Sequence, residues 1–597
     1  MLRRTLPNSD NKYNNVYLVV FLILATFGMN FLLPNYGGSG FNLPQNNMVA
    51  LFVVLLIGIS TVKVIHTGVI RLSKMQIALL LLFLCLVVPG LFNYHSETQM
   101  LLQRTMPIFG VFLLYASVEQ FSNSKKVVTR LLYLICLSAF LQVIYALAQK
   151  YLDLRPLEPF VALGIHKPFG IFQQYNLASS YFATAILVAF YLITRTELRE
   201  KSLKTRYFYT LFLILTMLGS LYLVLLIGSR VAILGLIGGV ILFVISQWKV
   251  IPAKRNLLIL VVVIVVIIVS INHKQLTVTY TKAVSVATSF LADEEKLKLD
   301  RRTVIWEIAS NTYLNSPWYG HGLGNFEKAF QDEVVKYHDS PDGKKNKLTI
   351  FISHPHNEVI YWGIESGVVA ILGLFGFLAY YLYLLFLQGW RHALLWLAVL
   401  APIGLQTLVS YPFYMSAMHL VVFVLFLSLS VRKQGSFFVV AFAPLFKRFF
   451  IALTLCFIVV YASFTWRTLN GLLDLGFFKF SKYKQEQLLT IPLKSIVWKK
   501  NATTYKKYLQ FTRDARMQNT AQIDEYVEWL KGQIEYNENI NLWVHLARAY
   551  QARGAPDKAI KTILTAKKRY PYDSLKILFN RMEGQARLQM KESRGGS

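Results

Sequence analysis

Acidic residues are scarce in this sequence: 31 Asp and Glu stand against 62 Lys and Arg in 597 residues. Cysteine is scarcer, and Cys85, Cys136 and Cys456 each lie inside an apolar run. A lone thiol there behaves as a small hydrophobe. No disulfide framework or cysteine metal pair can be read, and the redox compartment stays open. Charged residues of both signs make up only 16% of the chain. No zinc finger, Walker loop or basic-aromatic RNA motif accompanies the net charge of +31, which sets the nucleic-acid reading of that charge aside. No Gly-rich strand-turn-helix unit for a dinucleotide is present.

What the sequence has instead is apolar length. Hydrophobic residues make up 55% of it, and its mean hydropathy is +0.44. A bilayer core takes about 20 apolar residues per helical span. By that measure the chain holds about thirteen spans, near 16–33, 48–65, 75–92, 105–118, 128–149, 177–193, 207–227, 230–246, 256–271, 359–387, 393–410, 417–431 and 449–466. The first run follows Arg3, Arg4 and Lys12 and reads as a retained span, because Pro34-Asn35-Tyr36-Gly37-Gly38 offers no cleavage site.

Lys and Arg cluster in alternate short loops, such as Lys63 to Lys74, Lys125 to Arg130, Arg195 to Arg206 and Lys249 to Arg255, whereas 34–47 has neither. The positive-inside rule then predicts a cytoplasmic N-terminus and, with an odd span count, a C-terminus on the outer side. The basic excess also suits anionic headgroups. The expected domains are an N-terminal transmembrane bundle (1–271), an outer loop (272–358), C-terminal transmembrane helices (359–466) and an outer helical domain (467–597). In the last, Trp543-x-x-Leu546-Ala547-x-x-Tyr550, Gly554, Ala559, Ala566 and Pro571 follow the tetratricopeptide pattern, whose units stack into concave binding surfaces. The expected fold class is an all-α polytopic membrane protein with a large outer loop and a C-terminal tetratricopeptide-like domain.

The candidate chemistry collects on the outer side. Ser353-His354-Pro355-His356-Asn357-Glu358 ends the loop at the start of a span. Read as helix, it places His356, Ile360 and Glu365 near one face. Ionisable groups at membrane depth are functional candidates by default, and Asn357 also suits a helix cap. Asp300-Arg301-Arg302 to Trp306 and Pro317 to Phe326 lie upstream, with Arg301 and Arg302 able to grip phosphate. Arg230, in Gly228-Ser229-Arg230, is too close to hydrocarbon to be cheap unless paired or hydrated, and reads as a pyrophosphate clamp, with snorkelling to the outer headgroups as the alternative. In Gly170-Ile171-Phe172-Gln173-Gln174-Tyr175-Asn176 the amides, Asn176 among them, suit sugar hydroxyls. Tyr411-Pro412-Phe413 closes another outer turn. No clear Asp-x-Asp pair stands at this face, so no metal and no cofactor are expected.

In their order and placement these motifs resemble the O-antigen ligase and Wzy-type polymerase superfamily, and within it the O-linking oligosaccharyltransferases of the PglL type. The resemblance spans nearly the whole chain. It implies a GT-C-like glycosyltransferase of the bacterial inner membrane, with its outer loop and tail in the periplasm. It also implies a catalytic role for His356 and essential roles for Gln174 and Tyr411, with His354 and Gln173 as adjacent alternatives. The implied donor is a glycan on undecaprenyl pyrophosphate, and the implied acceptor is Ser or Thr of a periplasmic protein such as a pilin. A ligase to lipid A core, a glycan polymerase and, outside enzymes, a lipid-linked glycan transporter are the competing readings.

Overall fold

The structure is a computed structural model. It describes residues 9–33, 38–93, 98–121, 125–152, 167–172, 174–195, 198, 202–248, 301–346, 348, 350–431, 435–439, 443–536, 539–571 and 573–595. The helices are α1 (Ser9–Thr26), α2 (Pro44–Thr67), α3 (Lys74–Phe92), α4 (Thr98–Glu119), α5 (Lys125–Tyr151), α6 (Tyr175–Thr194), α7 (Leu203–Ile227) and α8 (Arg230–Gln247). They continue with α9 (Arg301–Leu314), α10 (Phe326–Asp339), α11 (Glu358–Phe386), α12 (Trp390–Val409), α13 (Ala417–Val431) and α14 (Pro444–Phe480). The last are α15 (Lys499–Arg516), α16 (Thr520–Tyr536), α17 (Ile540–Ala552), α18 (Pro556–Arg569) and α19 (Asp573–Gly595). Two short strands, β1 (Val69–Ser73) and β2 (Gly435–Val439), pair antiparallel with Val69 opposite Val439. The all-α polytopic class therefore holds, with this small ribbon added.

Eleven described helices are long and apolar enough to cross a membrane. The expected span at 417–431 is the shorter apolar helix α13, and the one at 256–271 lies outside the described residues. Span limits shift most at α14, whose 37 residues cover about 55 Å against a hydrocarbon core of about 30 Å. Hydropathy falls at Arg467, but no proline interrupts the helix, so the chain continues helical past the expected boundary.

The structure divides into two compact units. The first comprises the described residues of Met1–Phe83, Met106–Ala292 and Leu374–Leu473. Its centre is α6, 83% buried along its apolar window, whereas the window in α14 is 6% buried. Small residues draw α8 and α12 together: a Cβ at Gly235 would stand 2.7 Å from Pro402 Cα, and one at Gly239 would stand 2.8 Å from Ala398 O. Two small residues four apart are the usual means of close helix contact in lipid, where packing replaces the hydrophobic effect.

The second unit comprises the described residues of Leu84–Thr105, Asp293–Gly373 and Asp474–Ser597. The outer loop and the tail, expected as separate domains, share it. Val304, Ile305, Ile308, Phe326, Phe330 and Ile364 form the core under α9 and α10. The tetratricopeptide pattern corresponds to the α17–α18 hairpin, which turns at Gly554 (φ 75°) and buries Ala547, Ala559 and Ala566. Within this unit α18 lies on α10. Arg569 pairs with Asp332 at 2.6 Å, Lys568 with Asp339 at 2.9 Å, and buried Gln331 donates to the Arg569 carbonyl.

Candidate active site

The sequence places two prolines, at 317 and 355, and glycines at 320, 322 and 324 around α9, and these dictate how the loop meets α11. Gly367 breaks α11 with φ 72° and ψ −162°. The backbone groups freed by the break are taken up by the loop: Val368 N–H donates to Pro317 O at 2.7 Å, His321 N–H to Ile364 O at 2.7 Å and Gly322 N–H to Glu365 O at 3.0 Å. Interrupted helices at membrane depth require such substitute partners. A Cβ at Gly367 would lie 2.2 Å from Trp318 O, so the approach admits only glycine.

The loop delivers His354 and His356 to the head of α11. Trp306 on α9 donates Nε1–H to Pro355 O at 3.0 Å, which pins the single residue between the two histidines. His356 has φ 56°, a left-handed conformation uncommon outside glycine and held only where the surroundings over-determine it. Its N–H donates to His354 Nδ1 at 3.2 Å, and the two rings meet edge to face at 4.1 Å. Asn357 caps α11, its Oδ1 accepting from Val359 N at 2.9 Å and Ile360 N at 3.1 Å. The helical reading of His356 is therefore corrected: α11 starts at Glu358, and neither histidine stands on it.

Burial, and then the positive charge of Arg302, lower the His356 pKa to about 4. Burial, and then His356, lower that of His354 to about 2. Both imidazoles are neutral near pH 7, the form that accepts a proton. His354 is 7% exposed and already engages the His356 backbone, which leaves His356 the better placed to receive a proton from outside. Arg302 is half-buried on α9, and Arg301 begins that helix with its side chain outside the described residues.

Glu365 is fully buried, and its place is inside the protein. Arg104 on α4 donates Nε–H to Glu365 Oε2 at 2.5 Å. The guanidinium also lies 4.0 Å from the Tyr361 ring centroid and 4.2 Å from that of Trp362. The ion pair thus fixes the first turns of α11 in place of the substrate contact expected of Glu365. Sequence reasoning missed Arg104 because it placed the span at 105–118, just beyond it. The span actually includes Met100, and an arginine inside a span is itself the signal.

The first unit holds the other candidates. The Tyr411 hydroxyl and the Gln174 side chain hydrogen-bond to each other, and burial pushes the Tyr411 pKa up to about 12. Gln174 stands at the head of α6, and Asn176 follows within its first turn, half-buried. Gln173 lies outside the described residues. Arg230 is the first residue of α8, exposed just past the left-handed Gly228 (φ 67°). Lys167, a cation that sequence reading passed over as a candidate, donates to Ile227 O and so joins the segment before α6 to the Arg230 turn. Its ammonium lies 6.0 Å from the Tyr175 ring centroid.

Among the described residues no group of three or more His, Cys, Asp or Glu is arranged to hold a metal ion. The first unit offers amide, phenol and cationic groups; the second offers a neutral imidazole beside a guanidinium. Those are groups suited to holding an anion and to removing a proton from a hydroxyl.

Residues 212–375 match the family model described as O-antigen ligase. Residues 394–578 match the one described as virulence factor membrane-bound polymerase, C-terminal. The first range contains Arg230, Arg302, His354 and His356; the second contains Tyr411 and most of the tail. No curated protein matches the chain. Together the two matches support the O-antigen ligase and Wzy-type polymerase superfamily for this chain, a group of glycosyl-transferring membrane enzymes.

Proposed function

We propose that this protein is an O-linking oligosaccharyltransferase that moves a glycan from undecaprenyl pyrophosphate to Ser or Thr of a periplasmic protein, at the outer face of the bacterial inner membrane. The N-terminus is assigned to the cytoplasm and the tail to the periplasm. The observation that carries the reading is His356, a neutral imidazole held at the head of α11 beside Arg302. In the reaction the acceptor hydroxyl oxygen bonds to C1 of the first sugar and its proton passes to His356. The bond from C1 to the pyrophosphate oxygen breaks, and the carrier leaves with that electron pair. Arg302 would stabilise the charge on the leaving group, and Arg230 is proposed to contribute to donor binding.

Protein rather than lipid as acceptor is favoured by the tail. A tetratricopeptide-like hairpin is fastened to α10 in the same unit as His356, and such hairpins hold peptides and proteins. Removal of residues after Asn537 is expected to reduce transfer to protein while donor binding persists. Undiminished transfer by a well-inserted truncation would refute the role of the tail. The polymerase reading draws on the match over 394–578. Purified enzyme offered one lipid-linked donor with both a protein and a lipid-linked acceptor separates the two, since only a polymerase lengthens the lipid-linked glycan.

Arg230→Ala is expected to raise the donor KM by roughly tenfold, the equivalent of about 1.4 kcal/mol of lost binding, with the acceptor KM unchanged. Arg230→Lys should recover little, because a point charge replaces a planar fork. Wild-type donor KM in both variants would show that Arg230 meets headgroups only.

A further inference from the structure

His419 lies in the first turn of α13, is 0% exposed, and no step described above uses it. Both ring nitrogens are engaged: Nδ1 with Ser416 Oγ at 2.8 Å and Nε2 with Ser180 Oγ at 3.1 Å. Ser180 gives its own hydroxyl proton to Leu177 O at 2.9 Å, so its oxygen accepts from His419 Nε2–H. The unprotonated Nδ1 then accepts from the Ser416 hydroxyl. The result is one directed chain, Ser416 to His419 to Ser180 to Leu177, each donor matched to one acceptor.

The two ends of that chain are what give it meaning. Ser416 closes the corner that begins at Ser410 and carries Tyr411. Leu177 and Ser180 lie in the first turns of α6, whose head is Gln174. The imidazole also packs edge-on against Phe172, two residues before Gln174, at 5.3 Å between centroids, and against Tyr181 at 5.6 Å. Asn46 fastens the same corner from α2, donating to Tyr414 O at 3.1 Å and accepting from Ala417 N at 2.8 Å.

We infer that His419 is a positioning residue, which holds the Tyr411 corner against the Gln174 end of α6 through Ser416 and Ser180. The geometric half of the inference stands on these contacts; its effect on rate rests on the transferase reading. Displacement of a positioned group by an ångström or so can cost roughly a hundredfold in rate, and the smaller loss of one tether should cost roughly tenfold.

Two readouts test it. In a background with the three native cysteines replaced by Ala, Gln174→Cys and Tyr411→Cys are joined in membranes by a short bifunctional methanethiosulfonate reagent. Cross-linking is expected to slow about tenfold when His419→Phe or Ser416→Ala is added. His419→Asn keeps an acceptor near the Nδ1 position and should recover part of the rate. Unchanged cross-linking in both His419→Phe and Ser416→Ala overturns the inference, and Ser416→Ala keeps the test open if His419→Phe does not insert. In transfer assays, Ser416→Ala should lower kcat with the donor KM unchanged, and lose that effect in a Tyr411→Phe background. An equal loss in both backgrounds would show that the chain acts on general stability instead. If the wild-type protein transfers glycan to no acceptor, the transferase reading fails, while the cross-linking comparison still decides the geometry.

Discussion

His356→Ala is expected to lower glycan transfer by roughly 10²- to 10⁴-fold, the span that a positioned general base contributes. Donor binding should persist, since the cationic groups remain, and so should membrane insertion and abundance. His354→Ala should cost less: its ring engages the His356 backbone and is more deeply buried. The pH profile carries a second signature. A histidine base at its ordinary pKa would lose activity as pH falls through about 6.5. Here the folded-state pKa is lowered to about 4, so kcat/KM should stay level from pH 7 to about 5 and fall only through the region near 4. Burial is the larger cause and Arg302 the smaller. Arg302→Gln should therefore move that acid limb upward in pH as well as weaken the donor step. Initial rates at matched protein level would reverse the assignment if His354→Ala were inert and His356→Ala active.

The largest effect on stability is expected at Arg104. Arg104 is 4% exposed and pairs with a fully buried Glu365. Removing one partner of a buried pair leaves an uncompensated charge, at a cost of about 3–5 kcal/mol. Arg104→Gln should lower the thermal midpoint in detergent and reduce the amount of protein that inserts. Glu365→Gln removes the opposite charge, so the double variant Arg104→Gln/Glu365→Gln should be more stable than Arg104→Gln alone. Additive losses in the double variant would show that the two side chains contribute separately, and the pair would lose its assigned role as the brace of α11.

Much of this fold could be read before any coordinates, because hydropathy and length report spans directly. The chain's helical membrane character and its tetratricopeptide-like hairpin were legible for that reason: twenty apolar residues, or small residues at fixed offsets, leave a local mark. What was not legible depends on contacts between distant segments. Nothing near Gly367 says that α11 breaks there, since the break is made possible by Pro317 and Gly322 about fifty residues earlier. His356 read as helical because the residues after it are; its left-handed backbone comes from a loop pinned by Trp306. Glu365 read as a site residue because a carboxylate at membrane depth demands a partner, and the partner, Arg104, stood 261 positions away. Asn357 behaved as its type suggests, as a cap. His419 was passed over although the same rule that singled out Glu365 applies to it, because an apolar run of fifteen residues hides one histidine well.

Under the proposed function the glycan goes to a protein and His356 takes the acceptor proton. Intact masses of periplasmic proteins should be measured in cells that make a lipid-linked glycan and express either the wild-type chain or His356→Ala at equal level. One protein species heavier by the mass of the glycan at a Ser or Thr is expected with the wild-type chain, and unmodified protein with the variant. Unmodified protein in both, together with lipid-linked glycan lengthened only by the wild type, would contradict it.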